Sequence, residues 1–172
     1  MRTTEGIILK KIDVGEADAL YVLYTKDCGK ITAHARGVRK QGAKLRGHLE
    51  PLSWSTVRLI RVKNGEKLVG ASLRSYWQDL RTRQSTLEVA SYVVRRIDEE
   101  CFPGERDAPL WELVTRTLVL LDSGDVVASD YERFREEFDR GLAYCLGHGR
   151  GDAEAGGEAR SRSLTGALDG KR

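Results

Sequence analysis

The sequence predicts an α+β chain in which a five-stranded antiparallel barrel is followed by a small α-helical domain. Five short segments rich in β-branched and aromatic residues lie between Gly6 and Tyr76. They leave no room for helical crossovers, so antiparallel pairing and closure into a barrel are favoured. The stretch from Ser85 to Gly147 instead repeats apolar residues at spacings of three and four, which is the helical period.

Turn residues separate the predicted strands. Val14-Gly15-Glu16 follows the first strand, and Lys26-Asp27-Cys28-Gly29 follows the second. Asn64-Gly65 lies between the fourth and the fifth, and both of these residue types tolerate the positive φ that a tight hairpin needs. We therefore expect strands at Gly6–Asp13, Ala19–Thr25, Lys30–Ala35, Ser53–Val62 and Lys67–Tyr76.

Three helices are predicted in the second half. Ser85-Thr86-Leu87-Glu88 and Ser129-Asp130-Tyr131-Glu132 have the spacing of capping boxes, at the starts of the first and third helices. Pro109 near the start and Gly124 just past the end bound the second helix. Loops of about six to nine residues between such helices are typical of a small bundle.

These patterns divide the chain into three parts. We expect a barrel domain at residues 1–78 and a helical domain at residues 79–148. Residues 149–172 consist mainly of Gly, Ala, Ser, Arg and Asp and have almost nothing to bury, so a disordered tail is expected there.

The composition indicates a soluble, cytoplasmic protein. Its three cysteines form no Cys-x-x-Cys pair, which argues against a disulfide framework and against a thiolate zinc site. The N-terminus has no charged-then-apolar leader pattern. No apolar run approaches the roughly 20 residues that a membrane-spanning helix needs.

Charge is distributed unevenly along the chain. Residues 1–80 hold 15 Lys and Arg against 8 Asp and Glu, whereas residues 81–150 hold 10 against 14. A basic first half next to an acidic second half suggests that the two have separate partners, and that the first attracts polyanions.

The strongest candidate site is a basic loop between the third and fourth predicted strands. It carries five cations and no acid: Arg36, Arg39, Lys40, Lys44 and Arg46. Such side chains can follow a phosphate backbone, with an affinity that falls steeply as salt rises. The alternative is a solvated, charged surface without a ligand.

Aromatic side chains would add base stacking to this loop, as in many single-strand binders. Five are available on or near the strands: Tyr21, Tyr24, Trp54, Tyr76 and Trp77. Tyr21 and Trp54 are the ones most easily explained as barrel core. Tyr24 joins the five cations as a predicted DNA-binding residue.

No catalytic, metal or cofactor site is predicted. His34, His48 and His148 have no neighbouring Cys, Ser and carboxylate that would form a triad. His148 and Cys145 could form one half of a metal site, but two further ligands are missing. Neither a phosphate-binding loop nor a dinucleotide fingerprint occurs.

A series of short motifs gives the chain a family resemblance. In order, these are Thr4-Glu5-Gly6-Ile7-Ile8-Leu9, Val14-Gly15-Glu16-Ala17-Asp18, Tyr24-Thr25-Lys26-Asp27-Cys28-Gly29-Lys30, Ala35-Arg36-Gly37-Val38-Arg39 and Leu49-Glu50-Pro51-Leu52. Their order and spacing resemble the N-terminal half of the bacterial RecO family of DNA repair and recombination-mediator proteins. The likeness continues less sharply through the helices to Gly147.

This resemblance implies an N-terminal OB-fold barrel followed by a helical domain. It implies a non-enzymatic protein without cofactors, associated with the nucleoid. Such a protein binds single- and double-stranded DNA, anneals strands and helps to load recombinase on DNA coated by single-strand DNA-binding protein (SSB), with RecR as a partner. Many members continue beyond the position of Gly147 with a four-cysteine zinc-type module, so we expect a short form that lacks it.

Two other functions remain open at the level of the sequence. In a protein-interaction adaptor, the helical half would bind a partner while the barrel only supports it. In an RNA-binding OB-fold protein, the same barrel would bind the other nucleic acid, because a basic barrel does not by itself choose between the two polymers.

Overall fold

The structure, a computed structural model, describes residues 1–43, 45–63, 65–126 and 128–147. The predicted tail, together with Lys44, Asn64 and His148, lies outside these residues. Five strands come first: β1 (Arg2–Val14), β2 (Asp18–Thr25), β3 (Gly29–Ala35), β4 (Trp54–Val62) and β5 (Gly65–Ser75). Four helices follow: α1 (Gln78–Thr82), α2 (Gln84–Glu100), α3 (Ala108–Ser123) and α4 (Tyr131–Cys145). Short 3₁₀ turns occur at Arg46–His48 and Ala128–Asp130.

The strands form a closed barrel in the order β1-β2-β3-β5-β4, which confirms the predicted fold class. Four of the pairings are antiparallel, but β3 and β5 run parallel, with Ala33 opposite Glu66 and His34 opposite Lys67. The expectation of antiparallel pairing throughout is therefore wrong at this one seam. The reason is parity, because a closed ring with an odd number of strands cannot alternate direction at every pair.

Alternate side chains of the strands fill the barrel. Ile8, Tyr21, Leu23, Leu59 and Leu68 are each at most 2% exposed and belong to one apolar cluster. Burial of one such side chain contributes roughly 1.5–3 kcal/mol. The interior is therefore a packed core.

A second core lies between the barrel and the helices. Ile7, Leu9, Val22 and Tyr24 point outward from β1 and β2 and pack in one cluster with buried residues of all four helices. The helical half thus covers the outer face of these two strands. The division into domains at residues 78 and 79 stays a prediction.

The two predicted capping boxes do not form. Helix α2 begins at Gln84, so Ser85 lies inside the helix, where its hydroxyl donates to the Tyr131 hydroxyl at 3.4 Å. Helix α4 begins at Tyr131, after a 3₁₀ turn, without a side-chain cap. In both places the serine is not at the position that precedes the helix, so its oxygen cannot satisfy the first backbone N–H groups.

The predicted start and end of α3 are confirmed. The Asp107 carboxylate accepts from the backbone N–H of Leu110 at 2.8 Å and caps α3, with Pro109 in the first turn. Gly124 ends the helix with φ of 83°, in the left-handed conformation that glycine adopts without strain. Helix α1 was not predicted. None of the described helices is long and apolar enough to cross a bilayer.

The connection between α2 and α3 crosses the barrel at β3. The Gly104 N–H donates to the Lys30 carbonyl at 2.9 Å, and the Lys30 ammonium lies 3.0 Å from the Asp98 carboxylate. Gly29 has φ of 62°, and a Cβ on it would overlap the backbone carbonyl group of Glu105. These contacts attach the helical half to the barrel at a point that only glycine fits.

Candidate nucleic-acid interface

Two connections, the β1–β2 turn and the basic loop, lie at one end of the barrel. The register places Val14 of β1 opposite Asp18 of β2, and Ala35, the last residue of β3, opposite Ala19. The basic loop starts there, directly after Ala35. The β4–β5 hairpin lies toward the other end, because β4 runs antiparallel to β1 and pairs Leu59 with Arg2 at the start of β1.

The loop is attached to the barrel at both ends. Val38 is 2% exposed and Leu49 is 0% exposed, and both belong to the cluster inside the barrel. Between them the chain turns repeatedly, with Lys40 N–H donating to the Gly37 carbonyl at 3.2 Å and Ala43 N–H donating to the Lys40 carbonyl at 3.1 Å. The apolar anchors face the barrel, so the polar side chains of the loop are left for solvent or a ligand.

Asp18 holds the first turn of the loop. One carboxylate oxygen accepts from the backbone N–H of Gly37 at 2.8 Å, and the other lies 3.1 Å from Nε2 of His34. The hydrogen bond from Gly37 is the main cause that lowers the pKa of Asp18 below 3.8, helped by the charges of His34 and Arg36 and opposed by partial desolvation. The carboxylate is therefore ionised at neutral pH.

Three of the predicted cations are exposed and form no ion pair with a described residue. Arg36, Lys40 and Arg46 have no carboxylate within ion-pair distance in the part of the chain that the structure describes. Lys44, the fourth, lies outside the described residues. Unpaired cations in a loop with fixed ends can contact phosphate without first breaking an ion pair.

Arg39 differs from these three because it already has partners. Its Nη1 donates to the Gly15 carbonyl at 2.7 Å, and its Nε lies 3.4 Å from the Asp13 carboxylate. Its backbone N–H also donates to the Ala17 carbonyl at 2.9 Å. Arg39 therefore joins the basic loop to the β1–β2 turn, a role that the run of cations in the sequence does not reveal.

Tyr24 is not available for base stacking, and this prediction is wrong. It is 1% exposed, its ring lies 6.1 Å from that of Trp111, and its hydroxyl donates to the Asp107 carbonyl at 3.4 Å. Desolvation is the main cause that raises its pKa. The helices cover the face of β2 from which Tyr24 points, and strand alternation alone does not show which outer face is covered.

The other aromatic side chains are mostly internal too. Tyr21 lies in the barrel, as expected, and burial raises its pKa to about 12. Trp54 stacks on Trp77 at 5.9 Å between barrel and helices, so it does not fill the barrel. Tyr76 is 41% exposed, and the guanidinium of Arg81 covers its ring at 4.0 Å.

A second basic surface lies on the β4–β5 hairpin, and the sequence reasoning missed it. Four of its cations are exposed and the fifth is partly exposed, against a single acid, Glu66. A count of charges strand by strand would have found this surface. The cations are Arg58, Arg61, Lys63, Lys67 and Arg74.

Comparison with known proteins decides the family. The family model described as "Recombination protein O N terminal" matches residues 1–73, which is the barrel almost to the end of β5. The chain belongs to the RecO family. The match covers the barrel and the basic loop, and the curated RecO relatives extend the similarity into the helices.

Three of these relatives each carry the name "DNA repair protein RecO". The protein of Dehalococcoides mccartyi strain BAV1 is 35% identical over 122 residues, which is 70% of this chain and 48% of the relative. That of Clostridium perfringens is 30% identical over 144 residues, or 84% and 57%. That of Geobacter metallireducens is 28% identical over 143 residues, or 83% and 59%. The chain spans about half the length of the curated relatives that it matches.

Proposed function

We propose that this chain binds DNA without catalysing a reaction and acts in DNA repair and homologous recombination. In this proposal it anneals single strands and helps to load recombinase on SSB-coated DNA. Its partners are single- and double-stranded DNA, RecR and SSB, and its place is the cytoplasm, at the nucleoid. The name that the RecO relatives share supports the repair role.

The observation that carries the proposal is the loop with Arg36, Lys40 and Arg46. Its buried ends at Val38 and Leu49 hold these cations at one end of the barrel, where none of them forms an ion pair with a described residue. OB-fold barrels bind oligonucleotides with neighbouring loops and strand faces. Exposed cations of one sign supply the affinity for phosphate, and the barrel fixes their positions.

A titration tests DNA binding directly. Fluorescence anisotropy with labelled oligothymidylate of about 15 nucleotides suits one OB fold. Wild-type protein is compared with the double variant Arg36→Gln/Lys40→Gln at about 50 and 200 mM salt. A matched control, Arg116→Gln/Arg133→Gln, removes the same charge from exposed positions on the helices.

The loop variant should bind more weakly and depend less on salt. Each lost phosphate contact reduces the slope of log K against log salt by about 0.7 for a single strand, so two contacts reduce it by about 1.4. The helix control should match wild type. Wild-type affinity that does not change with salt, or an equal loss in both double variants, contradicts the proposal.

A second assay tests the mediator role. Two complementary strands coated with SSB are mixed with each protein, and duplex formation is followed over time. Wild type should speed annealing, and the loop variant should do so less. Competition with RNA of the same sequence separates DNA binding from the RNA alternative.

A further inference from the structure

A pocket of about 390 Å³ lies where the barrel meets the helices. Its most deeply buried lining residues are Tyr24 of β2 and Leu110 of α3, which are each 1% exposed. The rest of its lining comes from the connection between α2 and α3 and from Cys145 and Leu146 at the end of α4. Its volume is at the lower end of the range of roughly 300–1,000 Å³ that ligand-binding clefts have.

The surface around this pocket is apolar and open to solvent. Six of the nine lining residues are apolar or carry a thiol. Phe102, which is one of them, is 71% exposed, and Tyr144, which precedes Cys145 in α4, is 69% exposed. Single exposed apolar side chains are common, but two aromatic rings beside an apolar pocket form the kind of patch that marks a docking site.

The chain that follows α4 starts beside this pocket. Gly147 is the last residue that the structure describes, and residues 148–172 come after it. In this segment the only large apolar residues are Leu164 and Leu168. Together with Ala167 they have spacings of three and four, which places them on one side of a helical turn. Leu164 comes 17 positions after Gly147, a length of chain that spans up to about 55–60 Å and can return to the pocket.

The charges of the pocket and of the segment favour this return. Two acids, Glu105 and Asp107, and one cation, Arg106, line the pocket, and none of them forms an ion pair with a described residue. The helical half as a whole is acidic, with 10 Lys and Arg against 14 Asp and Glu in residues 81–150. The segment has Arg160 and Arg162 just before its first leucine.

We propose that Leu164 and Leu168 dock in this pocket within the same molecule and cover Phe102 and Cys145. A segment tethered over this length meets the pocket at an effective concentration of the order of millimolar, so a contact too weak to hold two separate molecules together is sufficient. The contact would close an apolar surface of the helical half to other proteins. It does not depend on the DNA binding proposed above.

Disulfide trapping tests where the segment lies. In a Cys28→Ser background the native thiols are those of Cys101 and Cys145, which both line the pocket. The variant Leu164→Cys should form an intramolecular disulfide with one of them under mild oxidation, and peptide mass analysis identifies the pair. Ala153→Cys is the matched control, because it is closer to Cys145 in the sequence and reacts faster if the contact depends on chain length alone.

Protection of Cys145 from alkylation by N-ethylmaleimide gives a second measurement in the full chain. If the leucines are docked about two thirds of the time, they slow the reaction about threefold, because the rate follows the open fraction. The variant Leu164→Ser/Leu168→Ser should therefore react about threefold faster than wild type. The matched control Ala155→Ser/Ala159→Ser makes two changes in the same segment and should react like wild type. Thermal unfolding verifies that each variant is folded.

The thiol of Cys28 is an internal reference. It lies in the turn between β2 and β3, does not line the pocket and should react at the same rate in all three proteins. A disulfide that forms no faster in Leu164→Cys than in Ala153→Cys overturns the docking, as does an unchanged Cys145 rate in Leu164→Ser/Leu168→Ser. Disulfide-linked dimers whose yield rises with protein concentration overturn the intramolecular contact, because they show that the pocket accepts a second copy of the chain.

Discussion

Gly29 of β3 lies directly beneath the backbone of Glu105, which belongs to the connection between α2 and α3. A Cβ at this position would be 2.5 Å from the carbonyl carbon of Glu105 and 3.1 Å from its nitrogen. The barrel and the helical half therefore touch main chain to main chain, where neither side can move a side chain out of the way.

Substitution of Gly29 should disrupt this contact between the barrel and the helical half. Gly29→Ala combines a left-handed backbone with an overlap and should lower the free energy of unfolding by about 3 kcal/mol or more. Gly15→Ala is the control, since Gly15 has φ of 58° but nothing within 4 Å of its Cβ position, and it should cost about 1 kcal/mol. Urea unfolding measures both. Equal losses in the two variants would contradict the close approach.

Because of Asp18, the stability of the protein should depend on pH in the acid range. Its pKa in the folded state lies below 3.8, mainly because of the Gly37 N–H. A lowered pKa stabilises the folded state at pH values above the pKa of the unfolded chain, and this contribution is lost as the pH falls through the folded value. Wild type should therefore exceed Asp18→Asn in stability near neutral pH, and the difference should shrink as the pH falls below 3.8.

Unfolding in urea at a series of pH values measures this difference. Asparagine keeps an oxygen that can accept from Gly37 but loses the charge that faces His34 and Arg36. A difference that stays constant down to about pH 2 would show that the charge of Asp18 contributes nothing.

Substitution of Arg39 should affect stability, whereas substitution of Lys40 should affect DNA binding, although the two residues are neighbours in the sequence. Arg39→Gln removes the donor to Gly15 and should lower the free energy of unfolding by about 0.5–1 kcal/mol. Lys40→Gln breaks no ion pair with a described residue and should stay within about 0.5 kcal/mol of wild type. Thermal unfolding and the anisotropy titration are measured on both. A loss of stability in Lys40→Gln as large as that in Arg39→Gln would refute this difference.

Tyr24 should matter for stability and not for DNA binding. Tyr24→Phe removes the hydrogen bond to the Asp107 carbonyl and should lower the free energy of unfolding by about 1 kcal/mol. The affinity for oligothymidylate should not change, because the ring is 1% exposed. A weakened affinity in a variant that is still fully folded would return Tyr24 to the interface.

The elements that the sequence predicted well are those with a clear period. Alternation along β3 and the spacing of Leu110, Val114 and Leu118 on α3 each mark one buried face, and the structure has a strand and a helix there. Helix α1 has five residues, which is too short for a helical period to show. The wrong capping boxes have a similar origin, since Ser85 has the right spacing to Glu88 but lies one residue inside its helix.

What the sequence could not predict at the candidate site depends on contacts between residues that are distant in sequence. A run of cations indicates a basic loop, but it does not reveal that Asp13 and Gly15 bind Arg39 while Lys40 has no ion pair with a described residue. Alternation gives Tyr24 an outward direction, and only the position of the helices decides whether outward means solvent. Arg58 likewise meets Gly70 only after β4 and β5 have paired.

The parallel seam has a consequence for the order in which the newly made chain folds. β3 ends at Ala35, but its second partner, β5, starts only at Gly65. β1 likewise has no second partner until β4 has been made. At about 5–20 residues per second, a ribosome needs roughly 2–6 seconds to make the intervening chain. During this interval the first three strands have two bare edges, which are prone to pairing with other chains. We therefore expect early translational arrest to give aggregation-prone fragments, and release of the chain beyond Lys67 to be the step that ends this risk.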